Sequence, residues 1–408
     1  MHTPAEAARF IVERTRPLSP LRRPLRDALD LVLAETVQSP IDLPPWDNSS
    51  MDGFAVRSAD VTAPGIVLRV IETVAAGMSP TKPLGAGSAT RIFTGAPLPE
   101  GSDGVIRQED ATLSGDRVTI NDVRDAGRNR RRRGEDIGRG STVLDAGAVL
   151  GPAQVGVLAS IAHAEPLVHP RPRVAFVTSG DEIATLDQRD EIMAGRRIAS
   201  SNSYTLHAMI REAGGEPVDL GLARDTKESL RERLNAAKGA DLVLTNGGVS
   251  VGEHDLVRDV IQDLGGTVDL WRVRMRPGAP LGFGTLHGVP WLGLPGNPVS
   301  TMVTFELFVR PAVRCLLGHR FPFRRTVTVQ LAERVTLGPK LRHYLRAVVE
   351  PGSTVARLTG PQGSGILTSM ARANALVIVP EDLPDVAAGA QLDALMLDDP
   401  VHVSQPMI

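Results

Sequence analysis

The sequence predicts a multidomain protein of α/β and all-β parts, and three observations carry that prediction. Residues 171–320 alternate short β-branched runs with amphipathic helical stretches, the pattern of a three-layer αβα domain built on a parallel sheet. From Phe54 to Asn121 the pattern is short strands between turns such as Ser114-Gly115-Asp116, which reads as an inserted all-β domain. Short strands return from about Arg324. A chain of 408 residues corresponds to two to four domains, at roughly 150 residues each. The expected partition is a small helical linker domain of residues 1–45 plus 128–170, the inserted β-domain 46–127, the αβα domain 171–320 and a C-terminal β-domain 321–408.

In chain order, Thr3-Pro4-Ala5-Glu6 is a capping box with proline at the first helical position, so a helix should run to about Arg14. A second amphipathic helix is expected over Leu25–Thr36 before Pro40–Pro45 breaks regular structure. Pro152 to Ala162 reads as an apolar helix, and Pro170-Arg171-Pro172 as a domain boundary. Beyond it come a strand from Arg173 to Thr178, a helix from about Ser203 to Ala213 and a strand from Pro217 to Leu222. Asp225 with Glu228 forms a capping-box-like start to a helix ending near Ala237. Asp241 to Thr245 is the next strand, and Leu256, Val257, Val260, Ile261 and Leu264 share one helical face before Gly265. A strand from Val268 to Met275, a turn at Pro277-Gly278 and a hairpin around His287-Gly288 lead to a long helix from Pro298 to Gly318. Near the end, Gly360–Gly365 precedes a short helix around Leu367–Ala373.

Composition narrows the functional classes. Net charge is −2, so no overall field draws the chain to nucleic acid or to a membrane. The arginine run Gly127–Arg133 is short and lacks interleaved aromatics, and its ordinary reading is a solvated face. No apolar run approaches membrane-spanning length, and the N-terminus lacks a signal-peptide core, so a cytoplasmic location is expected. Cys315 is the one cysteine, which excludes an intrachain disulfide and reads as a core residue. Histidine spacing supports no zinc site, so a metal here should be a hard, oxygen-bound ion.

Three loops leaving strand ends are chemically unusual: Ser179–Glu182, Asn246–Asp255 and Pro295–Ser300. The first brings carboxylates. In the second, Asn246-Gly247-Gly248-Val249-Ser250-Val251-Gly252 lets the backbone take positive φ and approach an anion closely. The third is a proline-fixed turn onto a helix N-terminus. Ligands of open α/β sheets bind at such strand ends, near a topological switch point. The carboxylates Asp52, Glu135, Asp136, Asp181, Glu182, Asp225 and Asp255 sit in or near special turns, and several of them beside a phosphate would suit Mg²⁺. Asp225 reads equally well as a helix N-cap. Thr94, Ser250 and Ser300 could donate to an oxyanion, but no histidine is spaced to make any of them a nucleophile.

Six motifs occur in one order: Asn48–Val56, Thr94–Gly101, Gly134–Ile137, Ser179–Glu182, Gly247–Asp255 and Gly293–Pro298. Together they resemble the molybdopterin molybdenumtransferase family (the MoeA proteins and the C-terminal E-domain of gephyrin), over nearly the whole chain. The resemblance implies an elongated homodimer of four-domain subunits, with a β-barrel-like C-terminal domain and a central molybdopterin-binding αβα domain. The active site would be shared with the inserted β-domain of the partner subunit. The implied reaction inserts molybdate into the dithiolene of adenylylated molybdopterin, with Mg²⁺-dependent release of AMP. One cysteine cannot supply a multi-thiolate molybdenum site, so the sulfur ligands come with the substrate. Matched by motif, Asp52, Thr94, Asp136, Glu182, Asp225 and Asp255 are the expected catalytic positions, with Glu182, Asp225 and Asp255 holding Mg²⁺. The expected substrate-binding positions are Arg131, Ser179, Gly180, Asp181, Gly247, Gly248, Ser250, Gly252, Arg276, Pro295, Gly296, Asn297, Pro298, Ser300 and Ser364. Molybdopterin adenylyltransferase and molybdoenzyme acceptors would be further partners.

Two departures from the family pattern matter. Arg276-Pro277-Gly278-Ala279-Pro280 stands where the family has Lys-Pro-Gly-Lys-Pro, so Ala279 removes a charge, at a cost on the order of 1–3 kcal/mol if that lysine binds an anion. Asn246 replaces a small hydroxyl residue. These leave room for a non-catalytic or altered-activity pterin-binding scaffold, and a tungstate-preferring insertase is a second alternative because residue types do not separate the two oxyanions.

Overall fold

The structure, a computed structural model, describes residues 2–248, 256–338 and 340–398. The capping box at the N-terminus forms as expected. Thr3 Oγ1 accepts the Glu6 N–H at 3.2 Å, and the Glu6 carboxylate accepts the Thr3 N–H at 2.8 Å, starting a helix over Pro4–Arg14. The expected helix over Leu25–Thr36 does not form. A single 3₁₀ turn, Leu25–Asp27, is followed by Asp30 at φ 64° and a strand, Val32–Leu33, which pairs with Leu167–His169. Leu31, Val32 and Leu33 are consecutive and all buried, a run for which helical and strand periods cannot be told apart without the partner strand.

The chain divides into two compact units, one of Glu35–Ala146 with Pro152–Ala164, the other of Met1–Ala34, Gly147–Gly151 and Glu165–Ile408. The first unit is built on a six-stranded sheet with the order Gly104–Arg107, Gly53–Val56, Ser88–Ile92, Val67–Val74, Arg117–Ile120 and Ala111–Ser114. Phe54, Val56, Leu68, Ile106, Val118 and Ile120 fill its core, so the all-β reading of Phe54–Asn121 holds, with only 3₁₀ turns between strands.

In the second unit the αβα part has six strands: β1 (Arg173–Ser179), β2 (Glu216–Ala223), β3 (Leu242–Asn246), β4 (Thr267–Arg272), β5 (Pro280–Leu286) and β6 (Val289–Leu294). Their order across the sheet is β2-β1-β3-β6-β5-β4. The first four are parallel; β5 pairs antiparallel with β6, the hairpin expected around His287-Gly288, and β4 pairs antiparallel with β5 and so runs in the direction of the first four, which makes the expected parallel sheet mixed at that edge. The two-residue connection His287-Gly288, both at positive φ, joins β5 to β6, and a hairpin of that length can only be antiparallel. Helices α1 (Ser201–Glu212), α2 (Lys227–Asn235) and α3 (Leu256–Asp263) connect the strands. A last helical stretch, α4, runs over residues 298–316 with a π turn at Phe305–Val309. Pro311 has no N–H to give the Leu307 carbonyl, which accounts for a register change at that place.

Alternate residues of each strand face opposite layers. Val174, Phe176, Leu242 and Leu244 pack with Leu206 and Ile210 of α1 and Val299, Val303 and Phe305 of α4. Ala175, Val177 and Val243 pack with Leu230 and Leu234 of α2 and Val257, Val260 and Ile261 of α3. That double coverage explains why the strands are apolar without alternation.

At the C-terminal end, Arg342–Val349, Val355–Leu358, Thr326–Leu331, Gln391–Met396 and Ala375–Val379 pair in that order, and the last pairs back with the first to close a five-strand barrel. Arg346 is wholly buried. It donates to the Pro361, Gln362 and Gly363 carbonyls and to Ser369 Oγ, tying the Gly360–Gly365 loop to the barrel.

Candidate active site

The chain visits β1, then β2 on one side, then β3 on the other, so β1 and β3 flank a topological switch point. A cavity of about 820 Å³ opens there. Its wall draws on the β1 end (Ser179, Gly180, Glu182), the β3 end (Asn246, Gly247, Gly248) and the turn after β6 (Gly296, Asn297, Pro298), with Asp225 from the end of β2. All three unusual loops therefore meet. Asp181, Arg276, Pro295, Ser300 and Ser364 lie outside this wall. Ser250, Gly252 and Asp255 lie outside the described residues.

Glycine is required at the β3 turn. Gly247 has φ 88°, and a Cβ there would come 2.6 Å from the Ser179 carbonyl oxygen. Gly248, at φ 68°, would meet Val257 at 2.8 Å. Behind the glycines Asn246 is buried and holds two loops together. Its Nδ2 donates to the Pro295 carbonyl at 2.8 Å and to Thr301 Oγ1 at 2.9 Å, and its Oδ1 accepts from Asn202 at 2.9 Å. Asn202 also donates to the Gly296 carbonyl at 2.7 Å. The departure at Asn246 is thus built into an amide network reaching farther than a hydroxyl could, with Asn202 Oδ1 the one atom of it left buried without a partner among the described residues.

Asp225 is not the cap of α2. Thr226 takes that role, its side chain accepting the Ser229 N–H at 3.2 Å. Asp225 is left at the cavity wall with its backbone N–H 3.4 Å from Asp181 Oδ1. Partial burial, together with the nearby Asp181 and Glu182 carboxylates, pushes its pKa above the usual carboxylate range. Among the described residues no three acidic, His or Cys side chains form a ready metal cluster. Asp225 and Glu182 could supply what Mg²⁺ on a phosphate uses, one or two carboxylates beside ligand oxygens, and a cation there would offset the burial, and then the like charges, that raise Asp225.

Several wall residues were not legible in the sequence. Helix α1 starts at Ser201, two residues before the expected Ser203, and Ser200, Ser201 and Asn202 at its N-terminus line the cavity. Ser200 makes no capping bond to the helix, so the positive end of a 12-residue helix opens on the site. The turn before α4 is less available than the sequence implied, because the Val299 N–H already donates to the Ser364 carbonyl at 3.0 Å. Lys227, first residue of α2, pairs with Asp259 at 2.8 Å on the same wall.

Asp52, Thr94, Arg131 and Asp136 belong to the first unit, where Asp52 and Thr94 bond each other. Asp52 Oδ1 accepts the Thr94 N–H and hydroxyl, both at 2.8 Å. The Thr94 N–H, then its hydroxyl, hold the Asp52 carboxyl below its usual pKa, as a fixed anion. Strand Arg130–Arg131 pairs with Asn48–Ser49, which brings the arginine run beside the first motif. Arg130 lies 3.7 Å from Asp47, and Arg133 bonds Asp42 at 2.7 Å. Arg131 and Asp136 are exposed. Part of the run is therefore ordinary surface pairing.

Residues 2–162 match the MoeA N-terminal region (domain I and II), 175–315 a "Probable molybdopterin binding domain" and 328–397 the MoeA C-terminal region (domain IV). A protein named molybdopterin molybdenumtransferase 2, from Mycobacterium tuberculosis, is 37% identical over 96% of this chain and 98% of its own. The chain belongs to the molybdopterin molybdenumtransferase family. A further relative of that name, from Nostoc sp., is 35% identical over 91% of this chain and 86% of its own. The crystal structure of a molybdopterin biosynthesis MoeA protein from Pyrococcus horikosii superposes with a TM-score of 0.84 at 30% identity, covering 97% of this chain and 99% of that one. This transferase has, among its described residues, no helix long and apolar enough to cross a membrane.

Proposed function

We propose that this transferase inserts molybdenum, taken as molybdate, into the dithiolene of adenylylated molybdopterin and releases AMP. The observation that carries the reading is the convergence of the Ser179, Gly247 and Gly296 loops with Asp225 on one cavity at the switch point. The uncapped N-terminus of α1 and Lys227 suit an anionic phosphoanhydride on one side of that cavity. Gly247 and Gly248 allow the backbone to approach it closely, and the Asn246 amides keep the two loops from separating. Asp225 and Glu182 would hold Mg²⁺, which supplies charge neutralisation at the phosphoryl oxygens. Asp52, fixed as an anion by Thr94, is proposed to serve the site of the partner subunit in a homodimer.

The test is AMP release from adenylylated molybdopterin with Mg²⁺, with and without molybdate. Molybdate-dependent release is expected. Pterin binding without release would favour the second reading, a non-catalytic scaffold, for which Ala279 is the specific observation: no cation replaces it in the 276–280 turn beyond the exposed Arg276. Tungstate competition in the same assay separates the two oxyanions.

A further inference from the structure

The wall of the switch-point cavity is mostly glycine, hydroxyl, amide and charged groups, and among the described residues no aromatic side chain lines it. Its larger apolar side chains are Ile183, Ile198 and Leu256. Two of these come from one small element. In the connection from β1 to α1, Ile183–Ala184 and Ile198–Ala199 pair as a parallel ribbon, with Ile183 opposite Ile198. Residues opposite in register place their side chains on the same face, so the two isoleucines stand together.

Ile198 is 63% exposed. A solitary isoleucine on open surface needs no explanation, but this one borders a concave wall beside a second isoleucine. The ribbon is also held firmly. The Ile198 N–H donates to the Glu182 carbonyl at 2.8 Å, and the Ser200 N–H to the Ala184 carbonyl at 2.9 Å. Arg197 Nη1 donates to the Asp181 carbonyl at 2.7 Å and to the Ile183 carbonyl at 3.3 Å. Gly180 leaves the space that Ile183 fills, since a Cβ there would come 2.8 Å from Ile183 Cγ1. A fixed apolar surface therefore faces a cavity whose other groups suit a phosphoanhydride. The proposed substrate carries two flat heterocycles on that anhydride, adenine and the pterin, and such rings need an apolar face to lie on.

We propose that Ile198, with Ile183, is the shelf on which one heterocyclic ring of the substrate lies, which makes Ile198 a specificity-determining residue. The shelf rests on the substrate class proposed above, but not on its turnover.

The test is equilibrium binding of AMP, of molybdopterin and of ribose 5-phosphate to the full-length protein with Mg²⁺, for wild type, Ile198→Ser and Ile198→Leu. Because Ile198 is exposed, the serine variant should keep the wild-type unfolding temperature. It should bind one ring-bearing ligand about tenfold more weakly and ribose 5-phosphate, which has no ring, within about twofold of wild type, while Ile198→Leu restores the affinity. A loss for AMP places adenine on the shelf, and a loss for molybdopterin places the pterin there. In the AMP-release assay Ile198→Ser should raise KM about tenfold with kcat held within about twofold, as for a contact made equally in ground and transition states. Unchanged affinity for both rings would overturn the proposal, as would an equal loss for ribose 5-phosphate or no binding of either ring by wild type. Wild-type protein that binds a ring through Ile198 yet releases no AMP would leave the shelf standing and remove the insertase reading instead.

Discussion

At the scale of single residues, Asp225 shows what a one-position shift of a helix cap does. With Thr226 capping α2, the Asp225 carboxylate is left partly buried and near two like charges, and its raised pKa means the folded state binds a proton more tightly than the unfolded chain. Ionising it therefore costs stability as pH rises through the folded value. Asp225→Asn should remove that cost, leaving thermal stability equal or higher, while AMP release falls at least tenfold in the Mg²⁺-dependent assay. Without Mg²⁺ the Asp225 carboxyl should titrate above the usual carboxylate range when followed by NMR in the folded protein, and added Mg²⁺ should move that titration downward. Asn246 behaves oppositely. Asn246→Ala would break three buried hydrogen bonds, with Thr301 still donating to the Pro295 carbonyl and Asn202 to that of Gly296, a loss of about 1–3 kcal/mol that urea unfolding would detect. Asn246 was legible only as an oddity of the motif. Its partners lie 44, 49 and 55 residues away in sequence, so no local pattern could name them.

At the scale of elements, the β3 turn and α4 place different demands on sequence. Gly247→Ala would force a side chain into a left-handed backbone and against the Ser179 carbonyl, costing about 1–3 kcal/mol from the backbone alone. Thermal unfolding should register it, and activity should fall further than stability because the cavity wall moves. In α4, Glu306 and Arg310 form an ion pair whose side chains are only 4% and 6% exposed. Glu306→Gln would leave Arg310 and Arg324 dependent on the exposed Glu212, and breaking a buried pair in this way costs about 3–5 kcal/mol in chemical denaturation. Capping chemistry gave the N-terminal helix its start at Pro4, and glycine stops gave α3 its end near Gly265. Residues 25–36 went the other way because their apolar run found a strand partner more than 130 residues later.

At the scale of the whole molecule, the shared-site reading predicts a dimer in sedimentation equilibrium at micromolar concentration. A monomer there would leave the Asp52–Thr94 pair without the role proposed for it. Mixing an Asp52→Ala variant with an Asp225→Asn variant should restore part of the AMP release that each lacks alone, because one of the two sites in a mixed dimer would be intact. The residues themselves determined the αβα alternation, the all-β insertion, the glycine turn and the six ordered motifs that mark the family. Those features are set by short-range periodicity, backbone freedom and residue type, all of which can be read along the chain. Only the tertiary structure decided that β4 joins the sheet at its edge, beyond β5, and that α1 rather than α4 offers its open end to the cavity. Each of these depends on which distant groups become neighbours, and that follows from strand order and packing rather than from spacing along the chain.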